Sequence, residues 1–426
     1  MERSDTSSRW AAAVALAALA VVVACLRFPQ LWEWLGVLHM RPYFLDLVAV
    51  LAACDARAQG LDPYSIPSPF DPLGRPHVYG PWWLELRRLG LTRVDAPWLG
   101  GLLCAATVGV LAWGLRPRGW AQGLAVFALL ISPPLLLGYE RGNNDLVIVL
   151  MLAAGAWAGA GNGALVFQSG IIWLAACLKF YPLAALPLLA TGRGRVRAIG
   201  AAVLVVAAFA AAWWMGRDEY RLVMSLVPRP DTWYGFGLAA IPLVFKAVVG
   251  VGDKVVFVVG LFAGVAAVIR AGGFDGEALR RMTIEGAPGR WLIAGGATWA
   301  GCFFLNTNFP YRVALLVMAA AAWTALWRDE GAHGKTRRVG RNLILLLLVM
   351  TWARVFRILW VFAVPGGGNK QIGVASFGVE HGLALGLTCV IIAALTVWAW
   401  AWLRGGNQVS GPTTAPAQGR GGASSA

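Results

Sequence analysis

The sequence predicts an all-α polytopic membrane protein, a bundle of roughly eleven or twelve transmembrane helices with an amphipathic first outer loop. Three observations carry that expectation. Of the 426 residues 58% are hydrophobic and only 13% charged, with a mean hydropathy of +0.65, so the soluble multidomain reading of such a length gives way. Apolar runs such as Trp10 to Cys25, Asn342 to Val364 and Gly382 to Leu403 approach or exceed the roughly 20 residues that cross about 30 Å of hydrocarbon as a helix. The net charge of +15 is spread over short loops instead of one basic stripe interleaved with aromatics. That pattern argues against a nucleic-acid partner and fits the positive-inside bias of membrane loops.

The elements follow in chain order. Arg3 and Arg9 precede an apolar run that ends Val22-Val23-Ala24-Cys25, which reads as an uncleaved signal anchor. With the N-terminus cytoplasmic, span 10–27 delivers residues 28–96 outside, and span 97–115 returns to Arg116 and Arg118. Span 120–138 puts Tyr139 to Asp145 outside, and span 146–160 leads back in. Up to the basic run Arg193 to Arg197 the chain is apolar but interrupted at Lys179-Phe180-Tyr181-Pro182. Two half-helices broken at Pro182 keep those arginines inside, as the positive-inside bias favours.

Span 198–216 exits to a long outer segment, 217–253, with Pro228, Pro230, Asp231, Trp233 and Tyr234, and a weakly hydrophobic piece, 238–251, read as interfacial. Span 255–269 then places Arg270, Arg280, Arg281 and Arg290 inside. Spans 291–304 and 313–327 flank Asn306 to Arg312 outside, and spans 342–363 and 382–403 flank Gly366 to Lys370. Residues 1–404 are thus one transmembrane domain, followed by a Gly, Ser and Pro-rich tail, 405–426, that cannot form a core.

Twenty-two Trp residues suit headgroup anchors or packing. The six Cys, at 25, 54, 104, 177, 302 and 389, show no CxxC pair and no His at zinc-ligand spacing, so neither a metal site nor a disulfide framework is indicated. No Ser-His-Asp or Cys-His arrangement and no nucleotide-binding Gly loop is recognisable.

The polar and aromatic outer segments, 43–81, 139–145, 217–236, 306–312 and 366–381, point to a site at the outer surface. Asp46 stands among Phe44, Leu45, Leu47, Val48, Val50 and Leu51; a carboxylate in so apolar a run is costly without a partner or a task. It is the candidate catalytic residue. Arg354 and Arg357, three apart on one helix face and roughly 9–14 Å from the outer end of their span, suit a lipid phosphate; snorkelling or pairing with a buried acid explains them as well. Lys179 beside a helix break is a further cation candidate, with a snorkelling lysine as its bland counterpart. Glu140 and Arg141 read equally as a surface ion pair, Asn143 and Asn144 as turn or cap residues, and Asp145 as an acid placed by the helix dipole. His39, His77 and His381 lie near the outer boundary, where a lone His is more often a structural donor than a catalyst.

At Phe44-Leu45-Asp46-Leu47, Gly60-Leu61-Asp62-Pro63-Tyr64, His77-Val78-Tyr79-Gly80-Pro81, Glu140-Arg141-Gly142-Asn143-Asn144-Asp145, Leu178-Lys179-Phe180-Tyr181-Pro182 and Asn308-Phe309-Pro310-Tyr311-Arg312, the chain resembles the family 87 glycosyltransferases. These are polytopic enzymes of GT-C architecture that include polyprenyl-phosphate-mannose-dependent mannosyltransferases. The resemblance spans most of residues 40–320, and Gly80 departs from it where the family often has a second proline.

The resemblance implies a GT-C-like bundle in a bacterial plasma membrane. Its activity would move a sugar, mannose by family default, from a polyprenyl-phosphate-linked donor to a hydroxyl of a lipid or glycan acceptor, outside and with inversion. Asp46 would be the general base. Arg141, Lys179 and Arg312 would hold the donor phosphate, and Tyr64, His77, Tyr79, Glu140, Asn143 and Asn308 would contact the substrates. No cofactor is implied; some GT-C relatives use a divalent metal, and no outer-loop acidic cluster argues for one here. A lipid or sugar transporter is the first alternative, but the internal repeats it predicts are not evident. A noncatalytic cell-envelope subunit is the second.

Overall fold

The computed structural model describes residues 2–227, 235–250, 252–272, 274–305, 308–328, 334–363 and 370–405. The regular secondary structure of the described part is helical, apart from one antiparallel bridge between Phe236 and Asn308. The α-helices in order are α1 (Glu2–Arg27), α2 (Gln30–Trp34), α3 (Leu45–Ala58), α4 (Ala96–Leu115), α5 (Trp120–Leu130), α6 (Pro133–Arg141), α7 (Asp145–Trp157) and α8 (Asn162–Leu178). They continue as α9 (Arg195–Met215), α10 (Arg217–Leu226), α11 (Ile241–Val249), α12 (Lys254–Arg270), α13 (Gly276–Glu285), α14 (Ala287–Phe304), α15 (Val313–Arg328), α16 (Gly334–Ala363) and α17 (Lys370–Arg404). Tighter 3-10 turns occupy Pro81–Leu89 and Tyr181–Ala190.

The protein is an all-α membrane protein of several spans. Among the described residues five helical stretches are long and apolar enough to cross a bilayer: Thr6–Arg27, Arg93–Leu115, Arg195–Met215, Pro310–Arg328 and Gly378–Arg404. The bent pair α5 and α6 makes a sixth. The sequence leads one to expect eleven or twelve. Part of the difference arises because Asp145–Trp157, Asn162–Leu178 and Tyr181–Ala190 are apolar but short; the 13 residues of α7 rise only about 20 Å. Likewise α11, with 9 residues, is too short to span, as an interfacial reading of 238–251 requires.

Local chemistry accounts for the breaks. The stretch read as span 120–138 bends by 48° between Leu130 and Pro133, because Pro133 and Pro134 supply no N–H to the preceding turn. Consequently Tyr139, Glu140 and Arg141 end a helix instead of forming an outer loop. The break expected at Pro182 falls slightly earlier, at Lys179, whose backbone is extended (φ −152°, ψ 122°). Residues 405–426 of the tail lie outside the described residues except for Gly405, and so do Pro228, Pro230, Asp231, Trp233, Tyr234, Asn306, Thr307 and 366–369.

The core lies along α14 and α15, buried over most of their length. They approach closely because a Cβ at Gly295 would sit 2.5 Å from the Leu315 carbonyl oxygen. Several tryptophans serve packing rather than anchoring: Trp32, Trp291, Trp299 and Trp323 are fully buried, and Trp299 stacks on Phe236 while its indole N–H donates to Thr388 at 3.0 Å. All six cysteines are buried and free.

Candidate functional site

Asp46 sits in the first turn of α3. Phe44 precedes the helix with φ +61°, in the left-handed region, and its N–H donates to the Glu140 carbonyl at 2.8 Å. That bond fixes the start of α3 against the end of α6. The Asp46 carboxylate then receives Asn143 Nδ2 at 2.6 Å on one oxygen and Arg75 Nη1 at 3.2 Å on the other. Arg75 also donates to the Leu45 carbonyl at 2.6 Å and to Asp71 at 3.0 Å, so it ties the irregular segment after α3 to the first turn of that helix. Burial disfavours the Arg75 charge, but the bond to Asp71 and the charges of Asp71 and Asp46 outweigh it and raise its pKa.

A second polar cluster adjoins the first. Asp145, 1% exposed, opens α7 and accepts from Tyr181 Oη at 2.9 Å, Arg312 Nε at 3.1 Å and Lys179 Nζ. Asn143 joins the clusters, since its Oδ1 accepts the Asp145 N–H at 2.8 Å while its amide donates to Asp46. Asn308 receives Arg312 Nη1 at 2.5 Å and donates to the Cys302 carbonyl at 2.6 Å. The cations also lie over rings, Lys179 over Tyr79 at 5.0 Å and Arg312 over Tyr181 at 4.8 Å; desolvated cation–π contacts of this kind contribute roughly 1–2 kcal/mol.

Both clusters face one cavity of about 710 Å³. Asp46, Arg75, Arg141, Lys179 and Arg312 form its polar wall, and Asp46 is the one carboxylate among the described residues that line it. Trp213, Val223, Met224, Leu226 and Phe309 form an apolar wall, supplied largely by the end of α9 and by α10. The cavity therefore combines an acceptor for a proton, several fixed positive charges and a surface for hydrocarbon. Among the described residues no group of three or more His, Cys, Asp or Glu side chains is arranged to hold a metal ion.

Of the residues singled out in the sequence, Asp46, Tyr79, Arg141, Lys179 and Arg312 line the cavity. Asn143 and Asn308 are buried behind it, holding Asp46 and Arg312. Glu140 is fully buried and pairs with Arg141 at 2.9 Å, so a surface ion pair is the wrong description; its other oxygen accepts the Met40 N–H at 2.7 Å. Tyr64 and His77 stand further back. Tyr64 donates to Glu219 at 2.9 Å, and His77 packs edge-on between Tyr64 and Tyr79, each 5.8 Å away. Burial lowers the His77 pKa to about 4, despite the Gly80 carbonyl within reach of its Nε2. Arg354 and Arg357 belong to α16, and their side chains lie outside the described residues.

Sequence reasoning missed three members of the site. Arg75 and Asp71 lie in a proline-rich stretch with no helical period to mark their direction. Asp145 was visible, but the helix dipole explained it sufficiently. Comparison of the chain with protein-family models, with curated proteins and with solved structures returns no match.

Proposed function

We propose that the protein is a GT-C-type membrane glycosyltransferase that moves a sugar, mannose by the resemblance, from a polyprenyl phosphate to an acceptor hydroxyl of a lipid or cell-envelope glycan. The cavity end of the bundle faces outward from a bacterial plasma membrane in this reading. The observation that carries it is Asp46, the one carboxylate among the described residues lining a cavity that also presents Arg75, Arg141, Lys179 and Arg312 and an apolar wall.

In the proposed reaction the acceptor hydroxyl replaces Arg75 at one Asp46 oxygen and gives that oxygen its proton. The hydroxyl oxygen attacks the anomeric carbon from the face opposite the phosphate, which inverts the centre. The bond from anomeric carbon to phosphate oxygen breaks, and its electron pair stays on the phosphate. A phosphodiester thereby becomes a monoester with one more negative charge. Lys179 and Arg312 share the single charge of Asp145, so that cluster keeps a net positive charge for the departing group, and Arg141 adds a guanidinium. Protonation of the leaving oxygen, which glycoside hydrolysis needs from a second acid, is not required. The apolar wall accepts the isoprenoid chain.

The test supplies purified protein with radiolabelled polyprenyl-phosphate mannose and a panel of lipid and glycan acceptors. Transfer is expected from the wild type, and Asp46→Asn is expected to lower its rate roughly 10²–10⁴-fold. Transfer at an undiminished rate by a folded Asp46→Asn protein rules out the general-base role.

A further inference from the structure

Arg116, Arg118 and Arg328 line a second cavity, of about 500 Å³, that glycosyl transfer does not use. The helices lead to it from the first. Helix α7 starts at Asp145 and ends at Trp157 on the second cavity's wall, and α15 follows Arg312 and ends at Arg328. The 16 residues of α15 rise roughly 24 Å between them. The far end of α4, at Gly114 and Arg116, also lines it, as do Ser7 and Ser8 at the start of α1. It therefore lies at the opposite end of the bundle from Asp46.

Among the described residues the charge around this cavity is one-sided. Arg328 is half-buried and donates from Nη1 to the Leu115 and Arg116 carbonyls at the end of α4, so among the described residues helix carbonyls hold its head and no carboxylate does. Arg116 and Arg118 are exposed and enter no ion pair among the described residues. Facing them, Gly286, Ala287 and Pro288 bring in the N-terminus of the 18-residue α14, which has no side-chain cap. An uncapped helix start presents unpaired N–H groups and a partial positive charge. The exposed Glu285 is the one carboxylate among the described lining residues. Three guanidiniums and a helix start against one acid leave a positive excess. Arginines placed only by the inside-positive rule need no shared cavity and no half-buried member.

We propose that this cavity binds a phosphate-bearing anion, presented by the headgroup of an anionic membrane lipid. Guanidinium forks match phosphate oxygens in pairs, and basic pockets between helix ends at a membrane face are suited to such headgroups. The binding does not depend on glycosyl transfer.

The test uses the full chain purified in detergent and native mass spectrometry with added phosphatidylglycerol, phosphatidylcholine, glycerol 1-phosphate or inorganic phosphate. The double variant Arg116→Gln, Arg118→Gln keeps the backbone carbonyl that Arg328 uses, and Arg87→Gln, Arg88→Gln, exposed in the turn Pro81–Leu89, is the control. Phosphatidylglycerol is expected to stay bound to the wild type and the control, and to bind the double variant at least roughly tenfold more weakly. Equal retention by wild type and double variant, or phosphatidylcholine held as firmly as phosphatidylglycerol, overturns the proposal. Soluble phosphates bound as firmly as the lipid, and lost in the variant, uphold the anion site and assign it to a free phosphate.

Discussion

Asp145→Asn keeps the shape of a side chain that two cations share and removes its charge. The Asp145 side chain is 1% exposed, Lys179 10% and Arg312 18%, so water reaches the cluster only from the cation side. The variant leaves an ammonium and a guanidinium facing each other with no counter-charge, a loss of about 3–5 kcal/mol for a broken buried pair. With an unfolding entropy of roughly 2 cal/mol/K per residue, a chain of 426 residues converts that loss to a drop of about 3–6 °C. The assay is thermal unfolding in detergent followed by tryptophan fluorescence. Lys179→Met serves as the partner variant, because it leaves Asp145 matched by Arg312 and Tyr181. The double variant Asp145→Asn, Lys179→Met removes one charge of each sign and is expected to recover part of the loss, so the two substitutions should be non-additive. An Asp145→Asn midpoint within about 1 °C of the wild type, or strictly additive losses, refutes the shared-charge account.

Arg75→Gln leaves Asp71, whose side chain is 1% exposed, without its cation; a loss of about 1–3 kcal/mol is expected by thermal unfolding, partly restored in Arg75→Lys. His77 gives a pH dependence. Its folded pKa of about 4 lies below the usual 6.5, so between those values the unfolded chain takes up a proton that the folded chain does not. Relative to His77→Gln, the wild type should lose up to roughly 3 kcal/mol of stability as the pH drops through that window. Gly80→Ala would place a Cβ 2.4 Å from the Cys177 carbonyl oxygen and 2.7 Å from that of Leu178, forcing the turn Pro81–Leu89 away from α8. It should destabilise by roughly 1–3 kcal/mol, while Gly101→Ala, with open space beside it in α4, should be neutral or gain up to about 1 kcal/mol.

The span read as 97–115 is found as Ala96–Leu115 because its ends are written locally. A Thr92 and Asp95 capping box with Pro97 starts the helical run, and an apolar stretch stops at Arg116. The bend after Leu130 was equally local, in Ser132-Pro133-Pro134, but hydropathy averages across it. The site divides along a different line. Asp46 and Asp145 look alike in sequence, each a lone acid opening an apolar helix, yet Lys179 and Arg312 lie 34 and 167 positions from Asp145. No local pattern connects them, and the helix dipole was a sufficient explanation until they met.

Gly142-Asn143-Asn144, whose two asparagines read as turn or cap residues, shows how the local and distant layers are joined. Gly142 has φ +55°, and a Cβ there would lie 2.9 Å from that of Phe44, so the tight turn after α6 is what lets α3 come close. The same turn aims Asn143 at both aspartates, accepting from the backbone N–H of Asp145 and donating to the carboxylate of Asp46. Turn chemistry and site chemistry are therefore one feature of the chain here. A shift of that turn would move the Asp46 contact and the Asp145 cluster together.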